Sequence, residues 1–151
     1  MREILFRGKR LDNGEWIEGH LIQYEDGRAR ICERHTEIFC YEKDRSIIQT
    51  VAHEVEPSTV GQYTCRMDKH GKRVFEEDIL QLYTVWDGRS EPYGCHVVVR
   101  WCENDQCYVL TLKDDTHHVD DFGNYGRPEY YEVIGNIHDN PELLDGGADN
   151  G

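Results

Sequence analysis

Hydrophobic residues along this chain occur in short alternating runs, and Gly, Asn and Asp interrupt the runs. The runs are rich in Val, Ile, Tyr and Trp, which are residue types that favour β-strands. No stretch of 11 or more residues repeats apolar side chains at intervals of three and four, the spacing of an amphipathic helix. The pattern therefore predicts an all-β protein built from antiparallel strands.

The clearest predicted unit is an N-terminal β-hairpin, in which residues 4–11 and 16–22 flank Asn13 and Gly14. Asn and Gly tolerate the positive φ angles of a two-residue primed turn. Such a turn would pair residue 11 with residue 16, and residue 9 with residue 18. One face of the hairpin would then be buried. Its apolar members are Ile4, Phe6, Ile17 and Leu21. A three-residue loop with a bulge at Gly14 is the alternative, and it would shift the register by one residue.

A second hairpin is predicted from residues 95–102 and 107–112, which flank a polar four-residue loop. Pairing across this loop places Trp101 beside Tyr108 and Val99 beside Leu110 on an apolar face. Cys102 and Cys107 face each other on the opposite side, where a disulfide is sterically conceivable. Further strands are predicted near residues 28–33, 37–41, 53–55, 79–86 and 130–138, and turns at residues 68–71 and 87–88.

Charge is spread unevenly over the 151 residues, whose formal net charge is −13. Residues 1–57 carry 9 basic and 12 acidic groups (−3), residues 58–102 carry 6 and 6 (0), and residues 103–151 carry 2 and 12 (−10). We expect a boundary at Pro57-Ser58, where this balance changes. The predicted organisation is an N-terminal β-hairpin region (1–57), a C-terminal region (58–144) and a disordered acidic tail (145–151). The acidic last third makes nucleic acid an unlikely partner and fits a basic partner or solubility.

The sequence also carries expectations about the cellular compartment. No apolar run approaches the ~20 residues of a membrane-spanning helix, and the first residues do not form a signal peptide. We therefore expect a cytoplasmic protein without a membrane partner. A reducing cytoplasm would keep the six cysteines as free thiols.

Two groups of residues raise the question of a metal site, and the sequence predicts none in either. Cys95, His96, Cys102 and Cys107 lack the Cys-x-x-Cys spacing of zinc sites, and strand alternation sends Cys95 and His96 to opposite faces. Residues 114–121 combine four Asp residues with His117 and His118. They fit either a divalent metal or an exposed acidic stretch, and the second interpretation is favoured.

No motif for a nucleophile, a phosphate loop or a dinucleotide fingerprint is present, so no enzyme and no cofactor are predicted. Glu76, Glu77 and Asp78 could supply paired carboxylates for acid–base catalysis, but carboxylates at a strand entrance commonly bind backbone amides instead. Aromatic residues near loops and strand ends could stack on a ligand or anchor a core. These residues are Tyr83, Trp86, Tyr93, Tyr125, Tyr130 and Tyr131.

Three stretches, in this order and spacing, carry a resemblance to a known family. They are residues 6–16 (FRGKRLDNGEW), residues 59–64 (TVGQYT) with 68–72 (DKHGK) and 78–80 (DIL), and residues 133–138 (VIGNIH) with 140–144 (NPELL). Together they closely resemble the YopX family of phage and prophage proteins over residues 2 to 144. The chain has Cys65 and Glu77 where the family usually has Gly, which predicts a locally different backbone at both places.

The resemblance implies an all-β fold with a small SH3-like barrel after the N-terminal hairpin region, and a bacterial or prophage origin. It implies no catalytic residues and no cofactor, because the family is uncharacterised in function. Six residues match positions typical of the family, and they serve as family markers without an assigned role in an active site. They are Gly61, Gln62, Tyr63, Asp78, Gly135 and Asn136.

The leading functional hypothesis is a non-enzymatic interaction or assembly protein of a phage or prophage, acting on an unknown protein partner. Exposed edge strands could support self-association, which makes a homo-oligomer conceivable. One alternative is a small barrel that binds nucleic acid, which rests on fold analogy. A second alternative is an acidic mimic of DNA that binds a basic host protein.

Overall fold

The computed structural model describes residues 1–33, 52–113, 118–122 and 127–145. The strands among these residues are β1 Phe6–Lys9, β2 Trp16–Gln23, β3 Ala29–Glu33, β4 Ala52–Val55, β5 Gly61–Met67, β6 Arg73–Phe75, β7 Asp78–Trp86, β8 Arg89–Cys102, β9 Cys107–Thr111, β10 His118–Asp121 and β11 Tyr131–Asn136. The described helices are short 3₁₀ turns at Pro57–Thr59, Pro128–Tyr130 and Pro141–Leu144. The predicted all-β class is confirmed. No helix in the described ranges is long and apolar enough to cross a membrane.

Two compact units divide the chain between Tyr63 and Thr64, a point inside β5. In the first unit, antiparallel strands follow the order β4-β3-β2-β1-β5. Its core consists of four buried side chains, with Phe6, Leu21 and Val60 packed against them. The four are Ile17, Ala29, Ile31 and Val55.

The first hairpin exists, but its predicted register is wrong. Lys9 pairs with Trp16, where the prediction paired residue 9 with residue 18. The N–H of Arg10 donates to the carbonyl of Glu15 at 2.9 Å, so residues 11–14 form a four-residue loop. The reason lies in a neighbouring strand, because the N–H of Leu11 donates to the carbonyl of Glu54 at 3.0 Å. This bond draws residue 11 out of the hairpin.

The side chains of the hairpin follow from this register. A shift of two residues returns every side chain to its original face, so Ile17 remains buried as predicted. Ile4 was expected in the same buried face but is 62% exposed, and its neighbour Leu5 is 2% exposed instead. The strand begins only at Phe6, and the carbonyl of Leu5 accepts a hydrogen bond from the N–H of Tyr63 at 2.8 Å. The alternation of β1 therefore does not extend back to Ile4.

In the second unit, a five-stranded antiparallel sheet has the order β10-β9-β8-β7-β11, and the remainder of β5 pairs with β6. Among the described residues no ladder joins β10 to β11, so this sheet is open and the described strands do not close a barrel. Its core is a cluster of buried apolar side chains, in which the rings of Phe122 and Tyr131 meet edge to face at 5.2 Å. The cluster comprises Val74, Leu80, Leu82, Val97, Val99, Leu110, Phe122, Tyr131 and Val133.

The second hairpin has the predicted register. Trp101 pairs with Tyr108, Val99 with Leu110, and Cys102 with Cys107. The strands expected near residues 28–33, 53–55, 79–86 and 130–138 are found as β3, β4, β7 and β11. The strand expected at 37–41 lies outside the described residues, as does the expected tail beyond residue 145.

Cys65 and Glu77, the two residues that replace a usual Gly, have φ angles of 65° and 66°. Both angles lie in the left-handed region, where glycine carries no Cβ penalty. The chain therefore places ordinary side chains on backbone that suits glycine, within β5 at Cys65 and directly before β7 at Glu77.

We expect Cys65→Gly to be more stable than Cys65→Ala by about 1 kcal/mol. Glycine relieves the left-handed strain, and part of that gain is offset by its larger entropy in the unfolded chain. Both variants remove the thiol, so their difference isolates the Cβ atom. Urea unfolding of the two variants measures it, and an alanine variant that equals or exceeds the glycine variant would contradict the prediction.

Candidate functional site

Asp68 ties the turn between β5 and β6 to the edge strand β11. Its side chain is 3% exposed. One carboxylate oxygen accepts the N–H groups of His70 and Lys72, each at 2.9 Å, and the other accepts the N–H of Val133 at 2.9 Å. Three charge-assisted hydrogen bonds offset the cost of burying this charge. Asp68 is thus an anchor inside the second unit rather than an accessible reactive group.

The carboxylates predicted at residues 76–78 lie at one turn but do not converge on one point. Asp78 is fully buried, and its Oδ2 accepts the N–H of Phe75 at 2.8 Å. Glu77 Oε2 lies 2.5 Å from His138 Nε2, and its other oxygen lies 4.0 Å from Arg100. Asp78 therefore binds a backbone amide of its own turn, and Glu77 joins β7 to the segment after β11.

Three residues of the motifs at 133–138 and 140–144 build the turn after β11. The Oδ1 atom of Asn136 accepts the N–H groups of His138 and Asp139, each at 3.0 Å. A Cβ atom at Gly135 would lie 2.5 Å from the side-chain oxygen of Asn140, so any other residue there would require the Asn140 side chain to move. The family markers Gly135 and Asn136 therefore have a structural role that the geometry explains.

A polar cluster, formed by Lys69, His70, Tyr83 and Glu132, occupies the surface where β7 leaves β11. The hydroxyl of Tyr83 donates to Glu132 Oε2 at 2.7 Å, and His70 Nε2 lies 3.0 Å from Glu132 Oε1. The ammonium of Lys69 lies 3.9 Å from the centre of the Tyr83 ring. These contacts fix the Tyr83 side chain directly after Leu82, which is the last β7 residue that pairs with β11.

The titration of this cluster follows from its hydrogen bonds. The bond from Tyr83 lowers the pKa of Glu132, and His70 adds to this effect against the opposing effect of burial. The same bond, together with burial, raises the pKa of Tyr83. Glu132 is therefore held as a carboxylate and Tyr83 as a neutral phenol, which is a positioning arrangement rather than an activated acid or base.

Beyond the polar cluster, β7 and β8 continue as a two-stranded arm, which we define as residues 83–93. The last β7 residue paired with β11 is Leu82, and the first β8 residue paired with β9 is Val98. Among the described strands, residues 83–86 therefore pair only with residues 89–92, and Tyr93 pairs only with Leu82 at the base of the arm. Asp87 and Gly88 have φ angles of 48° and 73°, which confirms the turn predicted there.

One face of the arm carries aromatic side chains into solvent. Trp86 is 55% exposed and Tyr93 is 56% exposed. Tyr93 pairs with the buried Leu82, so this face continues the core-facing side of the sheet beyond the core. The guanidinium of Arg89 lies 5.9 Å from the centre of the Trp86 ring.

The predicted aromatic group therefore divides between core and surface. Tyr131 is buried and Tyr130 packs against the core. Tyr83 belongs to the polar cluster, and Trp86 and Tyr93 belong to the arm. Tyr125 lies outside the described residues.

The residues considered for a metal site are placed apart or engaged elsewhere. The ring nitrogens of His96 lie 2.7 Å from the carbonyl of Leu143 and 3.0 Å from Gln81 Oε1. The part of the chain that the structure describes holds no group of three His, Cys, Asp or Glu residues that could bind a metal ion. Residues 114–117, including His117, lie outside the described part, and His118 begins β10, whose backbone pairs with β9.

Sequence reasoning did not identify Asp68, Glu132 or the polar cluster. The turn at residues 68–71 was the available signal for Asp68, since Asp at the first turn position commonly binds amides two residues later. Glu132 meets Tyr83 and His70 across 49 and 62 residues of sequence. No local pattern indicates such distant partners.

We expect Asp68→Asn to lower the free energy of unfolding by about 2 kcal/mol. The Asn amide has one acceptor oxygen, so its NH₂ group would face a backbone N–H, and a buried donor would lose its partner. Urea unfolding measures the loss, and hydrogen exchange at the Val133 amide locates it. Asp87→Asn is the matched control, since Asp87 is exposed and Asn tolerates positive φ. Equal stability of the two variants would contradict the anchor role.

We expect Tyr83→Phe to raise the pKa of Glu132 towards its ordinary value, because the largest cause of its lowering is removed. Loss of the hydrogen bond should also lower the free energy of unfolding by about 1 kcal/mol. A lowered carboxyl pKa stabilises the folded state above the unfolded pKa, and this contribution disappears as the pH falls through the folded pKa. The stability difference between wild type and variant should therefore shrink under acidic conditions. NMR titration of Glu132 measures the pKa, with Tyr93→Phe as control, and an unchanged Glu132 pKa in Tyr83→Phe would overturn the assignment.

Comparisons with known proteins agree with this structure. The family model described as YopX protein matches residues 5–145. A similar solved structure is the crystal structure of protein EF1440 from Enterococcus faecalis, with a TM-score of 0.52 and 21% sequence identity. The similarity covers 95% of this chain and 99% of that chain, and at this identity it supports the fold alone. A search of curated proteins finds no match. Because the family model spans nearly the whole sequence, the chain belongs to the YopX family.

Proposed function

We propose that this protein is an interaction module that associates with a second copy of itself through the arm. The observation that carries the proposal is the pair of half-exposed aromatic side chains, Trp86 and Tyr93, on one face of a ribbon that has no other described strand beside it. The proposed setting is the bacterial cytoplasm during phage or prophage activity, which rests on the family resemblance.

Exposed Trp and Tyr are the natural anchors of a protein contact. They bury a large area, lose little side-chain entropy and are enriched among the residues that dominate binding energy. In a small unit of this kind, an aromatic side chain that only supported folding would lie in the core, as Tyr131 does. Trp86 and Tyr93 are instead more than half exposed, so a binding role accounts for their position better.

The charges on the same face favour a second copy as the partner. Arg89 and Glu91 precede Tyr93 along β8 at steps of two residues, so all three side chains lie on the aromatic face. A two-fold axis can set Arg89 of one copy against Glu91 of the other, so the face complements itself. The chain as a whole carries −13 and repels its copies, which makes a locally neutral face the suitable point of contact.

The face of the arm is favoured over its β8 edge. Pro92 lies within β8 opposite Tyr83, and proline has no N–H to donate to an added strand. The aromatic face is also small beside the ~800 Å² that each partner buries in a stable interface. The proposed dimer is therefore weak and dependent on protein concentration.

We expect the average mass measured by chromatography with light scattering to rise above 17.7 kDa as the protein concentration increases. The double variant Trp86→Ser/Tyr93→Ser should remain monomeric, because it removes both aromatic anchors from exposed positions. Leu11→Ser is the control, since Leu11 is also 54% exposed but lies in the first unit. Wild-type protein that stays monomeric up to about millimolar concentration, where even weak interfaces associate, would refute self-association.

A charge exchange tests the two-fold arrangement separately. Arg89→Glu and Glu91→Arg should each weaken association, because each places like charges together. The double exchange Arg89→Glu/Glu91→Arg should restore it. Failure of the double exchange to recover association would show that these residues do not face each other.

Nucleic-acid binding lacks comparable support. The net charge of −13 opposes contact with phosphates, and binding of that kind depends on clustered cationic side chains.

A further inference from the structure

We infer that Cys102 and Cys107 form a reversible dithiol–disulfide pair, a modification site at the closed end of the β8–β9 hairpin. The two residues are direct cross-strand partners. Neither cysteine is part of a disulfide, and both residues are only partly buried. This inference is independent of the proposed arm contact.

The register places the two Cβ atoms on the same side of the sheet. Directly opposed residues in an antiparallel pair have Cα atoms about 4.5–5.5 Å apart, which lies within the ~4.4–6.8 Å range of disulfides. Their Cβ atoms are typically ~4.5–5.5 Å apart, and a disulfide needs ~3.5–4.5 Å. A small inward movement of two side chains at the end of a hairpin is therefore sufficient.

The loop between the two cysteines keeps them in register. The side-chain amide of Gln106 donates to the carbonyl of Glu103 at 2.6 Å, and Gln106 has a φ of 52°. One residue earlier in the ladder, the rings of Trp101 and Tyr108 meet edge to face at 5.1 Å. The pair is thus held on both sides by contacts that do not involve the sulfur atoms.

The surroundings of Cys102 are compatible with a protonated thiol in the absence of an oxidant. The Cys102 Sγ lies 3.5 Å from Asp105 Oδ2, as a thiol donor to a carboxylate. A reducing cytoplasm keeps such a pair as two thiols. The other described cysteines, Cys32, Cys65 and Cys95, are not cross-strand partners of one another or of this pair.

The proposed oxidant is a small-molecule disulfide such as oxidised glutathione. The thiolate of one cysteine attacks a sulfur of the oxidant, forms a mixed disulfide and expels one small thiol. The thiolate of the second cysteine then attacks the protein sulfur, forms the Cys102–Cys107 bond and expels the second thiol. Two protein thiols lose two protons and two electrons, and the oxidant disulfide becomes two thiols.

The test uses the full chain treated with oxidised glutathione, followed by alkylation of free thiols and peptide mass mapping. We expect a peptide in which Cys102 and Cys107 are joined to each other, and its loss on reduction. Cys102→Ser should instead trap a glutathione adduct on Cys107, and Cys107→Ser should trap the adduct on Cys102. Cys65→Ser is the control and should leave the internal bond unchanged.

Two results would overturn the inference. One is a wild-type protein that accumulates glutathione adducts on Cys102 or Cys107 without an internal bond. The other is a disulfide that joins either cysteine to a different one of the six. Because both serine variants retain the apolar face of the hairpin, circular dichroism of each variant should match the wild type, and a folded variant makes either outcome interpretable.

Discussion

The buried carboxylate of Asp68 is the contact on which the second unit depends. It satisfies two N–H groups of its own turn and one N–H group of β11. As an edge strand, β11 pairs with β7 on one side, and the amides on its other side would otherwise lack partners beside the core. Removing one partner from such a buried, charge-assisted set costs more than an ordinary surface hydrogen bond.

The anchored strand β11 also determines how the arm begins. Val133, whose amide binds Asp68, follows directly after Glu132, whose carboxylate binds the hydroxyl of Tyr83. Tyr83 is the first residue of β7 beyond the ladder with β11. These contacts therefore connect the buried turn at Asp68 to the base of the arm. They fix the position from which the two strands of the arm extend within this unit.

The two proposals concern different parts of the same five-stranded sheet and different chemistry. The arm joins β7 to β8 and offers aromatic side chains and one pair of opposite charges to a second copy. The cysteine pair closes the hairpin of β8 and β9 and offers two thiols to an oxidant. Either can fail without the other, because no described hydrogen bond of Cys102 reaches the arm.

Local patterns in the sequence determined the strands and turns that depend on neighbouring residues. Alternating apolar positions and a four-residue polar loop were sufficient for the β8–β9 register, because both its strands and its loop are contiguous. The same reasoning failed at the first hairpin, since Leu11 forms its backbone hydrogen bond with Glu54, 43 positions away, instead of with its local partner.

Tertiary structure alone decided which polar residues meet. The family markers Gly135 and Asn136 were visible in the sequence, but their role required the position of Asn140. The partners of Asp68 and Glu132 lie up to 65 and 62 residues away. The sequence by itself determined the β class, most strand positions and the family. Tertiary structure decided the role of Asp68 and the exposure of the arm. The reason is that the burial of a charge, or the absence of a further strand beside a ribbon, depends on neighbours that are distant along the chain.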